Sequence, residues 1–336
     1  MIREAIEAIV SGRDLDSDEA ATTMQEIMTG RASAAQIASF ITALRIKGET
    51  VEEILGMART MRRNSLKVSL TEDLVDTCGT GGDGLGTFNI STATALVVAA
   101  AGLKVAKHGN RAASSVCGSA DVLEACGVRI DVGPQEVEKC IREIGIGFMF
   151  APVFHPAMRF AADPRREIGI RTVFNILGPL TNPAAPRSQV LGVARPELGE
   201  TMALVLDRLG CEHAFVVHGG DGADELTLNS GNQIWELKHH KVETFTLSPS
   251  DVGLEVQQPG VIKGGDADTN RSLMEAVLGG EPGPLSDAVA FNSGAALYVA
   301  NKVSDVESGV RQAKEILATG EPWKKMVLFA EFSQGL

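Results

Sequence analysis

Asp76-Thr77-Cys78-Gly79-Thr80-Gly81-Gly82-Asp83 is the first of four polar clusters in this chain. It is followed by Asn89-Ile90-Ser91-Thr92, by Lys107-His108-Gly109-Asn110-Arg111-Ala112-Ala113-Ser114-Ser115 and by Gly118-Ser119-Ala120-Asp121. Four clusters of small, polar and basic residues are separated by apolar runs. Glycines let backbone approach oxygen atoms closely, while N–H groups, hydroxyls and a lysine offset negative charge. Such loops suit a highly phosphorylated ligand.

The runs beside these clusters read as strands and helices in alternation. Leu74-Val75-Asp76 is a short strand. Ser91 or Thr92 caps a helix through Ala93–Ala100, closed by Gly102, and Lys104–Lys107 is the next strand. Ile146–Phe150, Gln189–Val193 and Ala214–His218 read as further buried strands, and Ile234–Phe245 as a short antiparallel meander. From Leu285 to the end the chain reads as helical. Alternating β and α units imply a mostly parallel central sheet covered by helices, with ligands at the C-terminal ends of strands. The loops after Asp76 and Lys107 lie there.

Residues 1–67 carry a different pattern. Ile37, Phe40, Ile41 and Leu44 repeat at three and four, Gly48 stops that helix, and Thr50 with Glu53 forms a capping box for a helix buried through Ile54, Met57 and Met61. The expectation is an α/β protein with a small N-terminal helical domain (1–67) and a larger α/β ligand-binding domain (68–336). A polar, arginine-bearing segment near 163–183 crosses between them. Asn175–Pro183 within it reads as a proline-locked structural loop.

The chain has 336 residues and a net charge of −12, which argues against a general nucleic-acid binder. No run approaches the roughly 18 apolar residues of a membrane span, and the N-terminus has no signal-peptide core, so a cytoplasmic protein is expected. Five cysteines without a CxxC pair suit a reducing compartment and no structural zinc. Cys78 and Cys117 border the polar clusters with no base evident beside them, so neither reads as a nucleophile.

Gly79–Asp83 alone is a weak signal, neither a Walker A loop nor a GxGxxG fingerprint. Its company sharpens it. Asn89–Thr92 sit at a helix start, where the dipole favours anions. Lys107–Arg111 places cations around a Gly-Asn pair at a strand end. His108 serves either as a base or as a backbone hydrogen-bonding group. Asp224-Glu225 follow a glycine-rich loop and read either as an acidic turn or as Mg²⁺ ligands, the latter favoured beside a pyrophosphate site. Arg165 and Arg166 read either as surface ion-pair partners or as a fork for a substrate carboxylate.

Together these residues resemble the anthranilate phosphoribosyltransferases, a family of nucleoside phosphorylase-like architecture, over essentially the whole chain. Gln36–Ala38 and Ala43–Thr50 fit its helical domain; Asp76–Asp83, Asn89–Thr92, Lys107–Ser115, Phe174–Pro183 and Asp224-Glu225 fit in order and spacing. The resemblance implies transfer of the phosphoribosyl group of 5-phosphoribosyl 1-pyrophosphate (PRPP) to the amine of anthranilate, in tryptophan biosynthesis. It implies PRPP contacts from Gly79, Gly82, Asp83, Thr87, Asn89, Ile90, Ser91 and Thr92, from Lys107, His108, Gly109, Asn110, Arg111, Ala112, Ala113, Ser114 and Ser115, and from Ser119. It implies Mg²⁺ at Ser91, Asp224 and Glu225, and anthranilate contacts from Gly79, Asn110 and Arg165. Lys107, Asn110 and Arg165 would carry the chemistry, in a homodimer joined through the helical domain. A pyrimidine nucleoside phosphorylase is the nearest rival; Lys107–Arg111 and the Asp224-Glu225 pair favour the pyrophosphate donor. A nucleic-acid-binding relative of the same fold is disfavoured by the charge.

Overall fold

The computed structural model describes residues 1–112 and 116–336. The chain begins with four helices: α1 (Ile2–Val10), α2 (Ser17–Met28), α3 (Ala34–Lys47) and α4 (Val51–Arg63). Capping boxes start three of them, at Asp16/Glu19, Ser33/Gln36 and Thr50/Glu53, each satisfying backbone N–H groups that a helix leaves unpaired. Glu53 is fully buried, yet its carboxylate accepts from the Leu15 and Thr50 N–H groups and from Lys47 Nζ. Ile37, Phe40, Ile41, Leu44, Ile54, Met57 and Met61 all lie in the core.

The larger part is built on a sheet of seven strands among the described residues. They are β1 (Leu74–Gly79), β2 (Lys104–Gly109), β3 (Ile146–Phe150), β4 (Ser188–Gly192), β5 (His213–His218), β6 (Asn232–Lys238) and β7 (Lys241–Leu247). Their order is β3-β2-β1-β4-β5-β6-β7. The first five pair in parallel; β6 and β7 extend the sheet as an antiparallel hairpin. The strand order reverses between β1 and β4, so a crevice opens beyond their carboxyl ends, where Gly79 pairs with Gly192.

Helices cover the sheet: α5 (Ile90–Ala100), α6 (Ser119–Ala125), α7 (Pro134–Ile144), α8 (Ala151–Phe154), α11 (Gly199–Arg208), and α12 (Ala267–Leu278) through α13 (Pro284–Val299), α14 (Val306–Ala318) and α15 (Glu321–Gln334). Helices α13 and α14 approach so closely that a Cβ on Gly294 would lie 2.5 Å from the Val310 nitrogen. One cap differs from the sequence expectation. Asn89, not Ser91 or Thr92, occupies the N-cap of α5 and caps it with no side-chain bond. Its side-chain amide is engaged elsewhere, and Ser91 and Thr92 fall in the first turn.

The segment 163–183 is largely helical. Helix α9 (Arg159–Ile168) packs on α3 and α2, and α10 (Val173–Leu177) packs on α4. Arg62 of α4 donates to the Leu180 carbonyl at 2.8 Å. Asn182 joins the other side: its Nδ2 donates to Asp76 Oδ2 of β1 and to the Ala106 carbonyl of β2, both at 2.8 Å. The proline-bearing loop thus ties the helical bundle to the strand ends that carry the site.

Candidate active site

A cavity of about 310 Å³ lies at the crevice between β1 and β4. The first glycine loop, the start of α5, the end of β2, α9, α10 and the acidic loop after β5 all reach it. Of the sequence candidates, it is lined by Gly79, Gly82, Asp83, Thr87, Asn89, Ser91 and Thr92, by Lys107 to Ala112, and by Ser119, Arg165, Asp224 and Glu225. Ile90 does not face it: its side chain is fully buried in the core and its N–H donates to the Phe88 carbonyl. Ala113, Ser114 and Ser115 lie outside the described residues.

The acids sit where small residues make room for them. A Cβ on Gly79 would meet Asp224 Oδ2 at 2.2 Å, and one on Gly192 would meet the Asp224 carbonyl oxygen at 1.6 Å. The paired glycines that end β1 and β4 are therefore the seat of Asp224. Its Oδ2 accepts from the Gly81 N–H at 2.6 Å, and Glu225 Oε1 accepts from the Ser91 N–H at 3.2 Å, at the first turn of α5. Burial raises the Asp224 carboxyl to about 7, helped by Asp83, and burial with Asp224 raises Glu225 to about 8. Asp83 Oδ2 is buried without a partner among the described residues.

Lys107 faces them. Its side chain is buried, Nζ donates to the Thr77 carbonyl at 2.6 Å and lies 3.4 Å from Ser91 Oγ. Burial lowers its pKa, opposed chiefly by Asp76. His108 is buried beside it, with Nδ1 3.2 Å from the Gly178 carbonyl and its ring centroid 5.0 Å from that of His155. Burial and His155 lower its pKa to about 3, so it is neutral at pH 7. Cys78 and Cys117 have thiols raised by burial, the opposite of an activated nucleophile.

The two arginines of α9 part company. Arg166 is exposed and paired with Asp163 at 2.6 Å. Arg165 points into the cavity, makes no ion pair among the described residues, and stacks 5.1 Å from the centre of the Phe174 ring. A stacked, partly desolvated guanidinium without a carboxylate is suited to receive one. Arg111 is engaged instead with Asp121 and Glu124 of α6, at 3.0 and 2.8 Å. Asp121 also accepts from the Ala112 and Gly118 N–H groups, which fixes the loop around Asn110.

Two residues escaped the sequence reading. Asn270 of α12, fully buried, donates to Asn89 Oδ1 at 2.8 Å and accepts from the Gly265 N–H at 2.7 Å. Since Asn89 Nδ2 also donates to the Cys117 carbonyl, both ends of the Asn89 amide are held. The sequence carried no signal for it, since Asn270 sits in the polar first turn of α12, between Thr269 and Arg271, where an asparagine reads as a solvated residue. Arg171 lies on the other side of the cavity, against the first glycine loop.

Comparison with known proteins agrees with this architecture. Residues 3–65 match the model of the glycosyl transferase family helical bundle domain, and residues 71–322 match that of the glycosyl transferase family a/b domain. An anthranilate phosphoribosyltransferase of Dehalococcoides mccartyi is 51% identical over 338 residues, covering 100% of this chain and 99% of the relative. One of Chloroflexus aggregans is 54% identical, covering 99% of each. This chain belongs to the anthranilate phosphoribosyltransferase family. The family's crystal structure from Thermus thermophilus superposes with a TM-score of 0.93 at 46% identity, over 98% of this chain and 99% of that one. The Saccharomyces cerevisiae anthranilate phosphoribosyltransferase, in complex with PRPP and Mg, superposes with a TM-score of 0.91 at 28% identity, over 100% of this chain and 98% of that one.

Proposed function

We propose that this cavity transfers the 5-phosphoribosyl group of PRPP to the amine of anthranilate, giving N-(5-phosphoribosyl)anthranilate and pyrophosphate. The observation that carries the reading is the cavity's division of charge. Arg165, stacked on Phe174 and without an ion pair among the described residues, stands at one wall, and a buried lysine with three crowded carboxylates stands at another. One end suits a substrate carboxylate and the other a metal-bound pyrophosphate.

The bond from C1 of the ribose to the amine nitrogen forms as the bond from C1 to the pyrophosphate oxygen breaks, with inversion at C1. An arylamine is neutral and nucleophilic at pH 7, so positioning and leaving-group stabilisation are the larger tasks. Arg165 fixes the anthranilate carboxylate and, with Asn110 and Gly79, aims the amine. Lys107, aided by the loop N–H groups and the hydroxyls of Ser91, Thr92 and Ser119, holds the negative charge that grows on the leaving group. Neutral His108, with its Nδ1 on a carbonyl oxygen, contributes orientation and not a strong base.

Mg²⁺ fits the acidic wall. Burial, with Asp83 beside Asp224 and Asp224 beside Glu225, raises both carboxyls against the opposing pull of Lys107 on Glu225, and among the described residues Asp83 keeps an oxygen without a partner. Among the described residues, no group of three or more histidines, cysteines or acids forms a preassembled metal cage. That suits an ion held by one or two carboxylates, with substrate phosphates and water completing its shell. Asp224, Glu225 and the Ser91 hydroxyl would hold it, and it would supply charge neutralisation on the pyrophosphate oxygens.

A homodimer joined through the helical domain belongs to the same reading. Val10 of α1 and Ile46 of α3 are exposed apolar side chains of that domain.

Loss of anthranilate fluorescence on mixing purified protein with PRPP and Mg²⁺, and its absence with EDTA, tests the reading. A folded protein that binds PRPP yet leaves anthranilate untouched would overturn the assignment of acceptor.

A further inference from the structure

The first glycine loop is gripped from two sides at one peptide unit. The carbonyl of the Thr80–Gly81 peptide accepts a hydrogen bond from Arg171 Nη2 at 3.0 Å. The N–H of the same peptide donates to Asp224 Oδ2 at 2.6 Å. The guanidinium also lies against the next residue: a Cβ on Gly82 would fall 1.4 Å from Arg171 Nη1. Gly81 and Gly82 both have positive φ, +65° and +79°, so this backbone conformation is one that other residues adopt only with strain. Thr80 secures the other flank, its N–H on the Gly192 carbonyl and its Oγ1 accepting from the Ala194 N–H.

We propose that Arg171 is a positioning residue of the PRPP loop, acting with Asp224 through the Thr80–Gly81 peptide to hold the loop in its receptive shape and to supply the acidic wall with a resident positive charge before metal arrives. The inference rests on the donor-site reading above. Its physical basis is a chain from cation to peptide to anion, in which each bond polarises the next. Asp224 and Asp83 are the acids that act on this guanidinium, while Arg195 and Arg45 stand behind it and oppose its charge. A divalent ion at Asp224 would therefore meet the field of a fixed cation held on the other end of the same peptide unit. Arg171 makes metal binding without donor weaker and donor binding stronger.

The opposed signs give the test. Mn²⁺ without donor, as a spectroscopic stand-in for Mg²⁺, and PRPP with saturating Mg²⁺ are titrated in separate experiments into the wild type, Arg171→Gln and Arg171→Lys. In Arg171→Gln, donor-free Mn²⁺ affinity should rise about three- to tenfold, because a fixed charge beside the carboxylates is gone. PRPP affinity should fall on the order of tenfold, because the loop has lost a charge-assisted bond. Arg171→Lys keeps the charge and loses the planar fork, so Mn²⁺ affinity should return to the wild-type level while PRPP affinity recovers only in part. General damage to the site would weaken both ligands together. That result, or no change in either, overturns the proposal. Failure of the wild type itself to bind PRPP would remove the donor-site reading beneath it.

Discussion

Binding of Mg²⁺ to the donor-free protein should release protons, and the geometry of the acidic wall sets their number. Burial and the neighbouring Asp83 push the Asp224 carboxyl up to about 7, and burial and Asp224 push the Glu225 carboxyl up to about 8. At pH 7 the first is then roughly half protonated and the second roughly nine-tenths, by the ordinary titration relation. Carboxylates ligate a metal only when ionised, so saturation with Mg²⁺ should release about 1 to 1.5 protons per chain. The count belongs to the pair, since strongly interacting acids share their protons. Calorimetric titration in two pH 7 buffers of different ionisation enthalpy measures it directly. The stability of the metal-free protein must follow the same linkage. Each acid has a folded pKa above its unfolded value near 4, so protonation favours the fold. That contribution is complete below about pH 4 and is lost as pH rises through about 8. The melting temperature of metal-free protein should fall between about pH 5 and 8, and Mg²⁺ should restore it. A buffer-independent binding heat at pH 7, with no proton released, would refute the reasoning.

Replacing both Asp224 and Glu225 by alanine should nearly abolish turnover through lost metal binding; near-normal activity at low Mg²⁺ would remove that role from the pair. Arg165→Ala should mainly raise the KM for anthranilate, while Arg166→Ala, whose side chain is 75% exposed, should leave both Michaelis constants and the melting temperature close to wild type. An Arg165→Ala effect confined to PRPP would show the residue to be misassigned. In the scaffold, Gly294→Ala should lower stability by about 1–3 kcal/mol in chemical denaturation, because α13 and α14 must move apart to admit the methyl group; an unchanged midpoint would mean that the helices slide at little cost.

Much of the scaffold was legible because its signals are local. The strands at Leu74, Lys104, Ile146, Gln189 and Ala214, the Thr50/Glu53 capping box and the Gly48 stop depend on neighbours a few residues apart, and the structure has them all. What escaped depends on contacts distant in sequence. Asn89 caps α5 without its side chain because Asn270 and Cys117 claim the amide. Arg171 reads as one more base in an arginine-bearing stretch until the fold lays it on Gly82. Gly192 reads as the end of a strand until Asp224 is seen to need its missing side chain. The local rules fail together at the switch point, and there the molecule forgoes stability. Three acids crowd one wall of a cavity, and Arg165 waits at another without a carboxylate. Buried or half-buried charges left uncompensated lower the stability of the fold. That cost is offset once metal, donor and acceptor bring the missing partners. The apo fold is therefore shaped around a charge distribution that only its ligands complete, which explains why this site departs from rules that the rest of the chain obeys.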